Sequence, residues 1–182
     1  MTGSAPDQTQ PDHQAMPELE IAVSREAGDW PDHAETLVER VARATLAATY
    51  PPDDGPAELS LVLADNALVQ QLNRDYRGKD KPTNVLSFAL TEAEEPDPEE
   101  GAPVLLGDVI LAYETVQREA AEQNKSPDDH LSHLVMHGVL HLLGYDHETD
   151  DEAEEMEALE TRLLASLGIA DPYADNHEPP DQ

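Results

Sequence analysis

Three histidines carry the strongest chemical signal in this chain. In His137-Gly-Val-Leu-His141-Leu-Leu-Gly144-Tyr-Asp-His147 the first two stand four residues apart. On a helix that spacing stacks both imidazoles on one face, one turn apart, so two ring nitrogens can meet one ion at about 2.0–2.1 Å each. Gly144 can adopt the left-handed backbone that ends a helix, which turns the chain so that His147 approaches from a third direction. Three protein ligands leave a tetrahedral ion one open position, the arrangement of a catalytic site. Imidazole-only ligation favours zinc, one ion per chain, with nickel, copper or iron less excluded than magnesium.

The spacing H-x-x-x-H-x-x-G-x-x-H is also that of the zinc-binding part of the metzincin peptidase motif. Those enzymes carry a glutamate base directly after the first histidine, and here that place is Gly138. Two plainer readings stay open: polar residues on a wet helix face, or a structural zinc, although no fourth Cys or His completes a closed set. His177 is too remote in sequence to supply it. His133 and His130 lie four and seven residues before His137, on the same helix face; they either contact substrate and support the ligands or are ordinary solvated or core histidines. Asp146 either orients an imidazole or acts as a base, or is a turn residue after Gly144-Tyr145.

A second signal is positive charge. Arg74, Arg77, Lys79 and Lys81 fall within eight positions of a chain with only ten Lys and Arg in all. A guanidinium at Arg77 can fork onto phosphate oxygens while the neighbouring ammoniums act as point charges. The alternative is a solvated loop that balances Asp75 and Asp80. Thr83, Asn84 and Ser87 are placed to line a cleft, whereas Val85 and Phe88 read as core. The nine acids from Asp146 to Glu160 read as a solvated helix face, with no second, carboxylate-held metal expected there.

The elements that must position these groups follow from periodicity. Leu19, Ile21 and Val23 alternate with polar or small residues as in a half-buried strand, and Asp32–Thr49 carries a helical apolar face. Leu59–Ala64 is strand-like; Asp65 stands as the N-cap of a helix with Leu68, Leu72 and Tyr76 on one face. Strands follow at Val85–Leu90 and Leu105–Ala112, the second broken by Gly107-Asp108, with an acidic, proline-rich loop over 91–103 between them. Tyr113–Gln123 is helical. Ser126, Pro127 and two aspartates start the histidine helix, which stops near Leu143, and a last helix covers Asp150–Leu167. The order β-α-β-α-β-β-α-α-α predicts an α+β fold: a small mixed sheet of about four strands packed with about five helices, one of them a zincin-like metal helix. Residues 18–170 form the expected single domain, with a disordered extension over 1–17 and a flexible tail over 171–182.

The chain has 182 residues and no cysteine, which excludes disulfides and thiolate metal sites. No apolar run reaches the ~18 residues of a membrane span, so a soluble, cytoplasmic protein is expected. Forty Asp and Glu against ten Lys and Arg give a formal net charge of −30. Acid saturation with few lysines reads as adaptation to concentrated salt, where a Debye length of ~3 Å at about 1 M screens distant carboxylates.

The segment HGVLHLLGYDH at 137–147, together with Tyr76-Arg-Gly-Lys-Asp-Lys-Pro-Thr-Asn-Val-Leu-Ser-Phe88, Leu106-Gly-Asp-Val109 and Asp150-Asp-Glu-Ala-Glu-Glu-Met-Glu157, resembles the bacterial YbeY family over about residues 18–173. The resemblance implies a single-strand-specific, metal-dependent endoribonuclease acting in maturation of small-subunit (16S) rRNA at its 3′ end and in ribosome quality control. It implies zinc held by His137, His141 and His147 and a functional arginine at Arg77; the charge cluster and the helix face add Arg74, Lys79, Lys81 and His133 as substrate-binding candidates. The implied partners are rRNA and the ribosome or its proteins, with no membrane and no DNA. The extreme acidity departs from the family pattern.

Overall fold

The computed structural model describes residues 18–50, 55–89, 104–145 and 148–173. The expected extension over 1–17, the 91–103 loop, Asp146, His147 and positions 174–182 lie outside these. The elements run β1 (Leu19–Arg25), α1 (Ala34–Thr49), β2 (Ala57–Ala64), α2 (Asn66–Arg77), β3 (Val85–Ala89), β4 (Val104–Ala112), α3 (Tyr113–Glu122), α4 (Pro127–Leu142) and α5 (Asp150–Ser166). The sheet order is β1-β2-β4-β3, with β1-β2 and β2-β4 parallel and β3 antiparallel at the edge. This is the mixed four-stranded sheet and five helices that the sequence predicts.

Alternation along the strands sorts residues to two faces. Leu59, Leu61 and Leu63 of β2 and Val109 and Leu111 of β4 join Val38, Val41 and Leu46 of α1 and Val135, Met136 and Val139 of α4 in the main core. Leu86 of β3 and Ile110 of β4 point the other way, onto Val69 of α2. Helix α4 is buried over most of its length, so its histidines rest on a fixed base.

One expectation changes. Strand β4 is not broken at Gly107: it continues through a bulge in which Glu58 and Leu59 pair with Leu105 and Gly107, leaving Leu106 as the extra residue. Tyr173, assigned by sequence to the tail, donates a hydrogen bond to Glu160 and lies edge-on to the His133 ring at 5.3 Å.

Candidate metal centre and cleft

Helix α4 begins as its residues dictate: the Ser126 side chain accepts from the Asp129 N–H at 3.0 Å, Pro127 sits in the first turn, and Asp128 and Asp129 face the positive end of the macrodipole. At the other end Gly144 has φ +101°, the turn expected there. Between them His130, His133, His137 and His141 run along one side, each in edge-to-face ring contact with the next.

Beneath this row lies a residue that the sequence reading assigned to a solvated acidic face. Glu160 of α5 is 0% exposed. Its Oε2 is 2.6 Å from His137 Nδ1, its Oε1 is 3.0 Å from His133 Nε2, and Oε1 also accepts a hydrogen bond from the Tyr173 hydroxyl. Burial alone would raise the Glu160 pKa, but the hydrogen bonds and charge of His133 and His137 reverse that and bring it down to about 2. Burial, then the bond to Glu160 and its charge, hold the Tyr173 phenol protonated. An ionised carboxylate only accepts, so His137 Nδ1 and His133 Nε2 carry the protons. The signal was present in the sequence. Met156, Leu159, Leu163 and Leu164 are the buried stripe of α5, and Glu160 falls at the same helical spacing, an acid on an apolar face.

With its Nδ1 hydrogen-bonded to Glu160, His137 turns its Nε2 toward His141. His141 Nε2 lies 3.1 Å from it. Two nitrogens on one tetrahedral ion, each at 2.0–2.1 Å, are ~3.3 Å apart, so this pair has the separation a shared cation requires. The donor chemistry therefore fits a metal. Among the described residues, His133, His137 and Glu160 also bring one ligand atom each within 4.8 Å of the others and could hold an ion. The two sets share His137 and differ in what Glu160 does.

A cleft of about 1120 Å³ runs past these groups, lined by His133, His137 and His141 on one wall and by edge strand β3 on the other. Arg77 lines it too, as the last residue of α2, and donates to the Ser87 carbonyl at 2.6 Å with its guanidinium 5.2 Å from the Phe88 ring centre. Phe88 is thus half-buried and faces the cleft rather than being plain core, and Val85, Asn84 and Ser87 line it as well. Arg74, Lys79 and Lys81 are exposed and do not line it. Arg74 is engaged by Asp75 at 3.6 Å and Asp80 at 3.5 Å, the balancing role weighed above.

At the far end His130, 3% exposed, pairs its Nε2 with Glu119 at 2.8 Å, and Glu119 also accepts from the Asn84 amide. Burial lowers the His130 pKa against the upward pull of Glu119. Nothing in the sequence reading had singled out Glu119, although it follows buried Val116 by three helical positions.

Gly138 explains the missing peptidase base. A Cβ at 138 would stand 2.7 Å from Val109 Cγ1 and 3.1 Å from Ser87 Oγ. Helix α4 lies so close to β3 and β4 at this point that a glutamate has no room.

The family model described as Endoribonuclease YbeY matches residues 20–168. A Rhodospirillum rubrum protein named Endoribonuclease YbeY is 57% identical over 169 residues, covering 88% of this chain and 84% of the relative. One of that name from Paramagnetospirillum magneticum is 60% identical over 161 residues, covering 86% and 97%. The solution structure of a Thermotoga maritima protein shares the fold with a TM-score of 0.53 at 24% identity, over 89% of this chain and 99% of that one. No helix among the described residues is long and apolar enough to cross a membrane.

Proposed function

This chain belongs to the YbeY endoribonuclease family, and from that premise we propose that it is a metal-dependent endoribonuclease cutting single-stranded rRNA, at the 3′ end of the small-subunit 16S species, in ribosome maturation and quality control. The observation that carries this reading is the 3.1 Å approach of His137 Nε2 to His141 Nε2, with His137 anchored from behind by buried Glu160 and Arg77 in the same cleft.

The residues that would hold the ion are His137 and His141, completed by His147. Glu160 is read as a support and not as a ligand, because both of its oxygens already accept imidazole N–H groups, the usual arrangement behind a ligating histidine. Zinc, one ion per chain, suits an all-imidazole set. When bound it would supply Lewis acidity toward a phosphoryl oxygen and toward water.

The chain's own residues do the rest. Glu160 fixes the His137 tautomer and ring plane. Arg77, steadied by the Ser87 carbonyl and the Phe88 ring, places positive charge where the pentacovalent phosphorane accumulates negative charge. Arg74, Lys79 and Lys81 form an outer patch, and His133 acts through Glu160. The working unit is residues 18–173, a cytoplasmic domain whose partners are rRNA and the ribosome.

The test is cleavage of single-stranded rRNA at high salt by the wild type and by His141→Ala purified in parallel. Metal-dependent cleavage lost in the variant supports the reading. Equal cleavage by both preparations defeats it, and RNA binding without cleavage by the metal-loaded wild type would make the chain an assembly factor.

A further inference from the structure

Tyr76 is the anomaly of the cleft. It is 71% exposed, in a chain whose aromatic content is only 4%. Exposing a large ring to water gives up burial that the fold could have used, and the ring is not loose. It meets Phe88, the only phenylalanine of the chain, edge-to-face with centroids 5.6 Å apart. On the same Phe88 ring rests the Arg77 guanidinium, itself tied to the Ser87 carbonyl. Tyr76, Phe88 and Arg77 therefore form one ledge at the cleft that His137 and His141 also line.

The charge distribution says what such a ledge is for. Among the described residues that line the cleft, Arg77 and Lys125 are the fixed cations, against Glu119 and Glu122. With a net charge of −30 over the whole chain, an RNA strand gains little from phosphate neutralisation here. Stacking of a nucleobase on an aromatic face needs no net charge and tolerates any base, and salt screens charges, not stacked rings. It also requires a base that is not already paired.

We propose that Tyr76, propped by Phe88, is a nucleobase-stacking subsite that seats an unpaired base beside the phosphate facing Arg77. This rests on the RNA-cleaving reading above and deepens it: selection of single strands and affinity in salt both come from this ring.

The experiment compares equilibrium binding, at high salt, of a short oligoadenylate with an abasic strand of the same sugar–phosphate length. Wild type is expected to prefer the base-bearing strand. Tyr76→Ala should weaken oligoadenylate binding roughly 5- to 100-fold and abolish the preference, while Tyr76→Phe, which keeps the ring and loses the hydroxyl, retains it. Because Tyr76 is exposed, the Ala variant should fold and load metal normally. A wild type that binds both strands equally overturns the stacking, and a preference that survives in Tyr76→Ala overturns the assignment to this residue. A wild type that binds neither strand, yet is folded and metal-loaded, overturns the RNA reading itself.

Discussion

Glu160 Oε2 lies 2.6 Å from His137 Nδ1, and the carboxylate is wholly buried. The pair joins α5 to α4 across the core and turns an acid on an apolar stripe into the support of a histidine ring. The neighbouring oxygen takes His133 and Tyr173, so one carboxylate orders three side chains.

Glu160→Gln keeps the volume and removes the charge that holds the His137 proton. Zinc affinity is expected to fall by about 10- to 100-fold, the usual cost of losing such a support, with the fold retained. Competition titration against a chelating dye reads this directly. Unchanged affinity would mean that Glu160 does not position the ligand.

The same residue sets an acid limit on the metal-free protein. Its carboxyl binds a proton only near pH 2 when folded, against 4.5 when unfolded, so between these values the unfolded chain holds more protons. The stability contributed by this group is fully present above pH 4.5 and drains away as pH falls toward 2. It is worth on the order of 3 kcal/mol. Urea midpoints across that window should fall more steeply for wild type than for Glu160→Gln; parallel curves would refute the assignment.

Helix α4 and the sheet were legible because local signals agree with packing. Ser126-Pro127 starts the helix, Gly144 ends it, and the alternation of β2 and β4 sorts to two faces. The histidine spacing likewise puts His137 and His141 on one helix face, and their Nε2 atoms stand 3.1 Å apart. What spacing could not show was long-range pairing. Glu160 meets His137 and Tyr173 meets His133 only through tertiary contact, and a charge count read Glu160 with its exposed neighbours. Gly107 was misread for a related reason, since a glycine in a strand pattern marks either a break or a bulge, and only the partner strand decides.

Gly138 yields a packing prediction. In Gly138→Ala the new methyl meets Val109 Cγ1 at 2.7 Å, and both lie between a buried helix and its sheet. Overpacking of this kind costs about 1–3 kcal/mol, partly offset by ~1 kcal/mol of helix propensity. A net loss of about 1 kcal/mol is expected in chemical unfolding. In a Val109→Ala background the 2.7 Å contact is removed and only the 3.1 Å approach to Ser87 Oγ remains, so the cost of the same substitution should shrink. A substitution that costs the same in both backgrounds would remove Val109 as the cause.

Arg77 carries the prediction closest to the chemistry. Its bond to the Ser87 carbonyl uses one of five guanidinium N–H donors and faces the open edge of β3. The Phe88 ring beneath fixes the plane of the group. Arg77→Ala should leave metal content unchanged while lowering turnover on single-stranded RNA by roughly 100-fold, equivalent to about 3 kcal/mol of transition-state charge stabilisation. Arg77→Lys should recover little of this, because an ammonium cannot hold the Ser87 carbonyl and a phosphate oxygen in one plane. Single-turnover rates with metal-loaded protein separate the effect from binding at Tyr76. A wild-type rate in Arg77→Ala would show that the guanidinium only braces the strand edge.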